Sequence, residues 1–356
     1  MDHIEQVMDY FSGEFKADST EYPVGWVLAP IIAYAPETSL QVGIGSQLVF
    51  KPFGAIENVR PSTLEITARY TLNNQLILSP EFRIFFDEEK YILRGEMTFE
   101  KFPQFFYGIG NNTPEENEEL YDYASFVADQ ILYRQLFNKL YAGLGYRFAY
   151  RYKLDFEEDG WLETNPISGK TGGRSAGFTL GLLYDNRNNI LNSSTGTYAE
   201  LSHTLHRKFA GSEFDYTLTV LDARTYFQPF QQRSDVLALQ LYGYFTHGNT
   251  PFTDLAALGG GRIMRGYYEG RYLDNHLLAA QAEYRLLIWR RIGVVGFVAM
   301  GEVASQFKDF SLSDIKPSGG VGLRYKIMEK ENLNLRLDVA FGKNSSGIYI
   351  NISEAF

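Results

Sequence analysis

The 356-residue chain has no cysteine. Disulfides and thiolate metal sites are excluded, so packing and hydrogen bonds alone must hold the fold. Cations are scarce: 33 Lys and Arg stand against 43 Asp and Glu, a formal net charge of −10. That balance argues against a nucleic-acid partner, because phosphate binding needs clustered Lys and Arg. Long apolar runs are missing as well. No window approaches the roughly 18 consecutive apolar residues of a transmembrane helix. The most apolar stretch, Val24 to Ala35, is short and contains Pro30. Mean hydropathy is −0.23, a value typical of soluble chains. A membrane β-barrel escapes that measure, because only every second strand residue faces lipid. A secretory leader is also missing, since Asp2, Glu5 and Asp9 replace its basic and apolar regions. The expectation is a mature form with a restored Met1.

Aromatic residues are abundant, with 27 Phe and 25 Tyr making most of a 15% share. Girdles at membrane interfaces need such residues. From Gly25 onward the pattern has period two. Leu333, Leu335, Leu337, Val339 and Phe341 alternate with Asn334, Arg336, Asp338 and Ala340. Leu64, Ile66, Ala68 and Tyr70 alternate with Thr63, Glu65, Thr67 and Arg69. One face suits lipid and the other is polar and often charged. A soluble sandwich would bury the apolar faces between two sheets. Mid-strand charges argue against that, as do strands of about ten to sixteen residues against a usual five or six.

About sixteen such segments, from Gly25–Tyr34 to Gly347–Phe356, predict an all-β fold: a transmembrane antiparallel β-barrel. Residues 23–356 form the barrel in this reading. Residues 1–22 form a short amphipathic helix, periplasmic or plugging the lumen, with Ile4, Val7, Met8, Phe11 and Phe15 at helical spacing. Long connections, among them 247–275, fall on the outside if both ends of the barrel lie in the periplasm. Short ones fall inside.

The outer connection between the eleventh and twelfth strands reads Gly259-Gly260-Gly261-Arg262-Ile263-Met264-Arg265-Gly266-Tyr267. Arg265 offers a five-donor fork suited to a charged partner inside the barrel. Gly266 permits a sharp reversal. Tyr267 has an apolar body and a polar tip. A solvated loop arginine is the plainer alternative on chemistry alone.

Arg265-Gly266-Tyr267 resembles the Arg-Gly-aromatic signature of the BamA/TamA surface-antigen superfamily, which sits in the sixth outer loop of sixteen-stranded barrels. Other stretches resemble it in order: Pro30 to Thr38, Tyr184-Asp185-Asn186-Arg187 with Gly196-Thr197-Tyr198, Gly320 to Arg324, Leu335 to Asp338, and Phe356 as a closing aromatic. The resemblance implies an outer-membrane location in bacteria and outer-membrane lipid as surroundings. It also implies a latch in which Arg265 meets acids in strands 12 and 13. Glu283 matches the first acid. Ala299 stands where the second would be, so Asp338 is the expected substitute, and Glu302 points away unless a bulge intervenes. The resemblance further implies a lateral seam between the first and last strands, here Pro30 and Tyr34 against Gly347 and Phe356. Pro30 cannot donate to a ladder, which favours a weak seam. POTRA modules, usual in the family, do not fit the short stretch before strand 1, so delivery would fall to periplasmic or surface protein partners.

The implied function is insertion or translocation of protein or lipid through that seam. Two alternatives stay open: a passive or gated pore lined by Glu65, Arg69, Arg94, Glu96, Arg147, Arg324 and Arg336, or a scaffold subunit of a surface complex. Neither an enzyme nor a cofactor is expected. His203 and His206 are three apart on a strand and so cannot share a metal. Neither metal ligands nor a Ser–His pair can be assembled from the other histidines.

Overall fold

The computed structural model describes residues 12–15, 24–51, 59–230, 233–328 and 332–356. Sixteen antiparallel strands make the wall: β1 Val24–Ala35, β2 Ser39–Phe50, β3 Ser62–Thr71, β4 Leu76–Phe86, β5 Tyr91–Lys101, β6 Glu119–Phe137, β7 Leu140–Phe156 and β8 Gly173–Asp185, then β9 Gly196–His206, β10 Tyr216–Phe227, β11 Val236–Gly248, β12 His276–Trp289, β13 Ile292–Ala304, β14 Lys316–Met328, β15 Leu333–Gly342 and β16 Ser345–Ile352. Each strand pairs with the next, and β16 meets β1, so the sheet closes into a barrel. Among the described residues no helix is long and apolar enough to cross a membrane.

Alternation explains the closure. Leu144 and Val298 are 70% and 63% exposed on the outward face, while Glu283 and Asp338 inside are fully buried. The apolar faces are not stacked on a second sheet. Such a surface is stable only in hydrocarbon, and a closed barrel is the one sheet that leaves no unpaired edge there. Three of the inner turns are short: Asp87–Lys90, Asn138–Lys139 and Arg290–Arg291. The three longest connections, 102–118, 157–172 and 249–275, lie at the other end, although 51–61 and 186–195 on the inner end are about as long as the outer 305–315.

Two expectations change. Ser12–Phe15, placed in the N-terminal helix, is extended and pairs antiparallel with Val24–Val27. The free edge of β1 offers ladder partners that an isolated short helix lacks. The rest of that expected helix, residues 1–11 and 16–22, lies outside the described residues. The last strand was expected to run to Phe356, but β16 ends at Ile352. Ser353 has φ 75°, and the chain turns inward there. The polar and aromatic groups of Glu354 and Phe356 find partners within the barrel, as described below.

The interior is divided by height. Near the inner mouth, Val59, Phe85, Ile92, Tyr133, Tyr141 and Leu183 form one buried cluster. Above it stand charged side chains from many strands. The 249–275 loop fills the outer half, with Leu258, Met264 and Tyr267 packed on Leu277 and Val303.

Candidate functional site: the lumen anchor and the seam

The 249–275 loop folds inward as a small hairpin, Ala256–Leu258 against Tyr272–Asp274. Gly110 bridges it at Leu273, and Arg271 donates to Thr113 Oγ1 and O, both at 2.9 Å. Its tip thus hangs in the lumen from a framed base.

Arg265 at that tip is 1% exposed. Its Nη2 donates to Glu283 on β12, and its Nη1 to Asp338 on β15. The guanidinium lies over the Phe297 ring of β13, 3.6 Å from the centroid. Glu283 and Asp338 face inward because both sit on the polar phase of their strands. The structure therefore brings Arg265, Glu283 and Asp338 together. Glu302 is elsewhere: it accepts from the Ser311 backbone N–H at 3.2 Å in the β13–β14 loop.

The other two tip residues fix the loop to the wall. Gly266 has φ 105°, and a Cβ there would lie 2.7 Å from the Phe341 carbonyl carbon. Only glycine allows this approach to β15. The Gly266 N–H donates to Tyr349 Oη on β16 at 3.0 Å. Tyr267 lies flat on Gly342, where an added Cβ would meet its ring at 2.6 Å. Its hydroxyl donates to Pro317 O at 2.9 Å and accepts from Lys343 N at 2.8 Å. One phenol thereby ties β14 to the β15–β16 turn.

The anchor belongs to a larger ionic network. Arg285 bonds Glu283 at 2.8 Å, Arg324 bonds Asp338, and Arg336 lies 3.7 Å from Asp338. Arg324 also bonds Glu354 at 2.7 Å, and Arg285 donates to the Phe356 main-chain oxygen at 2.9 Å. Each acid that holds Arg265 thus shares an arginine with the segment after β16. Buried charges are costly unless paired and hydrogen-bonded, and here they are shared among several partners.

Asp254, an acid that the sequence pattern did not single out, fixes the loop to the far wall. It accepts from Arg151 on β7 at 3.1 Å, Ser175 on β8 at 2.9 Å and Tyr216 on β10 at 2.8 Å. Arg147 lies 3.6 Å away. Burial opposes ionisation of Asp254, but Arg151 and Arg147 outweigh it and hold the carboxyl down to about 2. One loop is therefore anchored on both sides of the lumen. Glu37, in the outer β1–β2 turn, has the opposite balance. Burial and then the nearby Glu269 of the loop push its carboxyl up to about 8.

Several charges considered as a pore lining are tied to partners. Arg94 bonds Glu200, Arg147 lies near Asp254, and Arg324 and Arg336 join the anchor network. His203 bonds Thr219 at 2.8 Å, while His206 stacks on Tyr216 with 4.0 Å between centroids.

The seam is the second feature. β1 and β16 share a single ladder pair, Tyr34↔Ile350. By contrast β1 and β2 pair continuously from Gly25↔Val49 to Ala35↔Ser39. Tyr34 is at the seam, Gly347 lies on β16 beyond it, and Pro30 is on the exposed phase of β1. Phe356 is not at the seam. It is buried in the lumen beside Tyr226, Val236 and Ala238.

Residues 86–356 match the Omp85 superfamily domain. The chain belongs to the Omp85 superfamily. It is a β-barrel of the bacterial outer membrane. The fold is similar to that of a BamA from Haemophilus ducreyi lacking POTRA domains 1–3, with a TM-score of 0.58 and 15% identity over 96% of this chain and 74% of that one. CdiB from Acinetobacter baumannii gives a TM-score of 0.56 and 14% identity over 94% of this chain and 60% of that one. CdiB from Escherichia coli gives 0.59 and 10% identity, over 96% and 66%. The chain thus spans about two thirds of the length of the CdiB proteins it matches. No curated protein matches it.

Proposed function

We propose that this Omp85 barrel inserts or translocates protein or lipid through the seam between β1 and β16, with Arg265 as the latch that braces the lumen while the seam opens. The observation that carries the reading is the single ladder pair that joins β1 to β16. Each backbone hydrogen bond contributes about 0.5–1.5 kcal/mol net, and more where water cannot replace it. A junction with one pair is therefore the place where the wall parts at least cost. The Pro30 ring removes a donor from the same strand. The interior charge network keeps the rest of the wall in shape around it. Protein partners in the periplasm or at the surface would deliver the client, and outer-membrane lipid would receive it.

The cysteine-free chain makes a direct test simple. Tyr34→Cys with Ile350→Cys places a disulfide across the seam. Insertion of an unfolded outer-membrane barrel into liposomes is then measured with the lock closed and with it reduced. Loss of insertion when oxidised and recovery on reduction are the expected result. Equal insertion in both states would overturn the proposal. A passive pore would conduct ions in a planar bilayer and ignore the lock.

A further inference from the structure

We propose that two outer turns, 207–211 and 305–312, are lipid-binding surfaces: they fold back over the outside of the wall and seat Phe209, Phe307 and Leu312 in the headgroup layer of the outer leaflet. This goes beyond the seam reading and does not depend on it.

The first turn follows β9. Lys208–Ala210 makes one 3-10 turn, closed by Gly211 at φ 95°. Tyr146 on β7 shows on which side the turn lies. It shares the outward phase of Leu144, and its hydroxyl donates to Ala210 O at 2.8 Å. Ala176 on β8 shares the outward phase of Phe178 and Leu180, yet it is fully buried. A Cβ added to Gly211 would lie 3.8 Å from the Ala176 Cβ. The turn therefore covers the outer ends of β7 and β8 from the lipid side. Phe209 is left 78% exposed, its ring stacked on Phe178 with 6.2 Å between centroids.

The second turn follows β13 and repeats the arrangement with other residues. Phe307–Asp309 makes the 3-10 turn. The Phe307 ring lies 4.4 Å from the His276 ring of β12 and 5.1 Å from the Phe245 ring of β11. Phe245 and His276 are register partners, on the outward phases of Leu241 and Leu278. Farther along, the Ser311 N–H donates to Glu302, which lies on the outward phase of Val298 and Met300. His276 and Glu302 are thus polar groups on the lipid side of the wall, and the loop buries both. Phe307 remains 60% exposed and Leu312 91%.

The surroundings name the occupant. Phe209 lies on Phe178 and Phe307 on Phe245, so both exposed rings continue the face already turned to lipid. Large apolar side chains gain free energy only by leaving water. Irregular backbone does not enter the hydrocarbon, where its free carbonyls would find no partner. The layer that satisfies both is the headgroup region, where rings meet apolar glycerol and backbone still meets water. Lys208 and Lys308, both exposed, stand beside the two phenylalanines, so each turn also offers a cation to lipid phosphate. The two turns accordingly mark the level at which the hydrocarbon ends around β7–β8 and β11–β13.

The test uses the absence of cysteine. Lys208→Cys and Ser313→Cys each carry a polarity-sensitive fluorophore, and Glu158→Cys in another outer loop is the control. The protein is placed in nanodiscs of phosphatidylcholine and phosphatidylglycerol. Quenching by a lipid with a nitroxide on its headgroup is compared with quenching by aqueous iodide. The labels at 208 and 313 should be quenched by the lipid and shielded from iodide, and the label at 158 the reverse. Phe209→Ser and Leu312→Ser should lower the lipid-to-iodide ratio at the neighbouring label about tenfold or more. Both side chains are too exposed for these changes to unfold the barrel, and heat-modifiable gel mobility checks that. Labels at 208 and 313 that iodide reaches as freely as 158 would overturn the inference. Labels shielded from both quenchers would also overturn it, because a protein contact would then cover the turns.

Discussion

The wall at β6–β7 and the wall at β1–β16 are built from the same kind of alternating sequence and differ in what closes them. β6 and β7 pair from Tyr121↔Phe156 to Phe137↔Leu140, with two bulges. Ring stacking across strands adds to that ladder, as in Tyr121 with Phe156 at 6.3 Å. β16 is eight residues long and touches β1 at one rung. Around the seam the work passes to side chains. The Arg265 tip, Tyr267 on Gly342 and the Glu354 segment join strands β12 to β16 through the lumen. Closure by backbone is hard to undo in lipid, where a broken rung finds no water. Closure by buried ion pairs in the lumen holds the strands from within and adds no backbone rung between β1 and β16.

The largest effect on this comparison should come from Arg265→Ala. It leaves Glu283 and Asp338 buried without their shared cation. Breaking one side of a buried pair costs about 3–5 kcal/mol. Thermal unfolding of the barrel in detergent should show a drop of that order, larger than for any other arginine substitution at the mouth. Asp254→Asn should follow at about 2–3 kcal/mol, because Arg147 and Arg151 lose their common partner while the amide keeps some hydrogen bonds. If Asp254→Asn equals or exceeds Arg265→Ala, the far wall carries the loop and the seam-side anchor is secondary.

Gly266→Ala should cost about 1–3 kcal/mol, since alanine at φ 105° is strained and its Cβ meets β15 backbone at 2.7 Å. Limited proteolysis of the 249–275 loop should rise in parallel.

The pH response of the two loop carboxyls should run in opposite directions. Asp254 has a folded value near 2, below its ordinary 3.8. Its contribution is therefore whole above about pH 4 and is lost as pH falls from there through about 2. Glu37 has a folded value raised to about 8 from 4.5. Its folded-state preference is present below about pH 4.5 and is lost as pH rises through about 8. Unfolding midpoints measured from pH 2 to 9 should flatten at the acid end in Asp254→Asn and at the alkaline end in Glu37→Gln. The smallest effect belongs to an exposed pair of the same chemistry. Arg174 and Glu213 bond at 2.8 Å but are 56% and 47% exposed. Arg174→Ala should change stability by about 0.5 kcal/mol or less.

Much of the fold is legible in the sequence because lipid imposes one rule on every strand. The period of two in Leu333–Phe341 shows both the strand and its faces, and with the faces the inward direction of Asp338. Arg265 stands out because a glycine-rich run and an Arg-Gly-Tyr tip are compact and local. Asp254 leaves no such trace. It is one acid among many in outer loops, and its significance lies in Arg151, Ser175 and Tyr216, which are far from it in the chain. The turn at Ser353 is hidden for the opposite reason. The alternation of Ile348, Tyr349 and Ile350 continues without a break signal, and only the lumen partners of Glu354 end the strand. Ser12–Phe15 is likewise drawn into extended form by an edge that the local sequence cannot reveal.

Amide hydrogen exchange of the protein in lipid nanodiscs, resolved by peptide, measures the contrast between the two walls directly. Amides of β1 and β16 should exchange at least about tenfold faster than those of β6 and β7, equivalent to about 1.4 kcal/mol or more of easier opening. Equal protection around the whole barrel would show that the seam is closed as firmly as the rest, and would contradict the account.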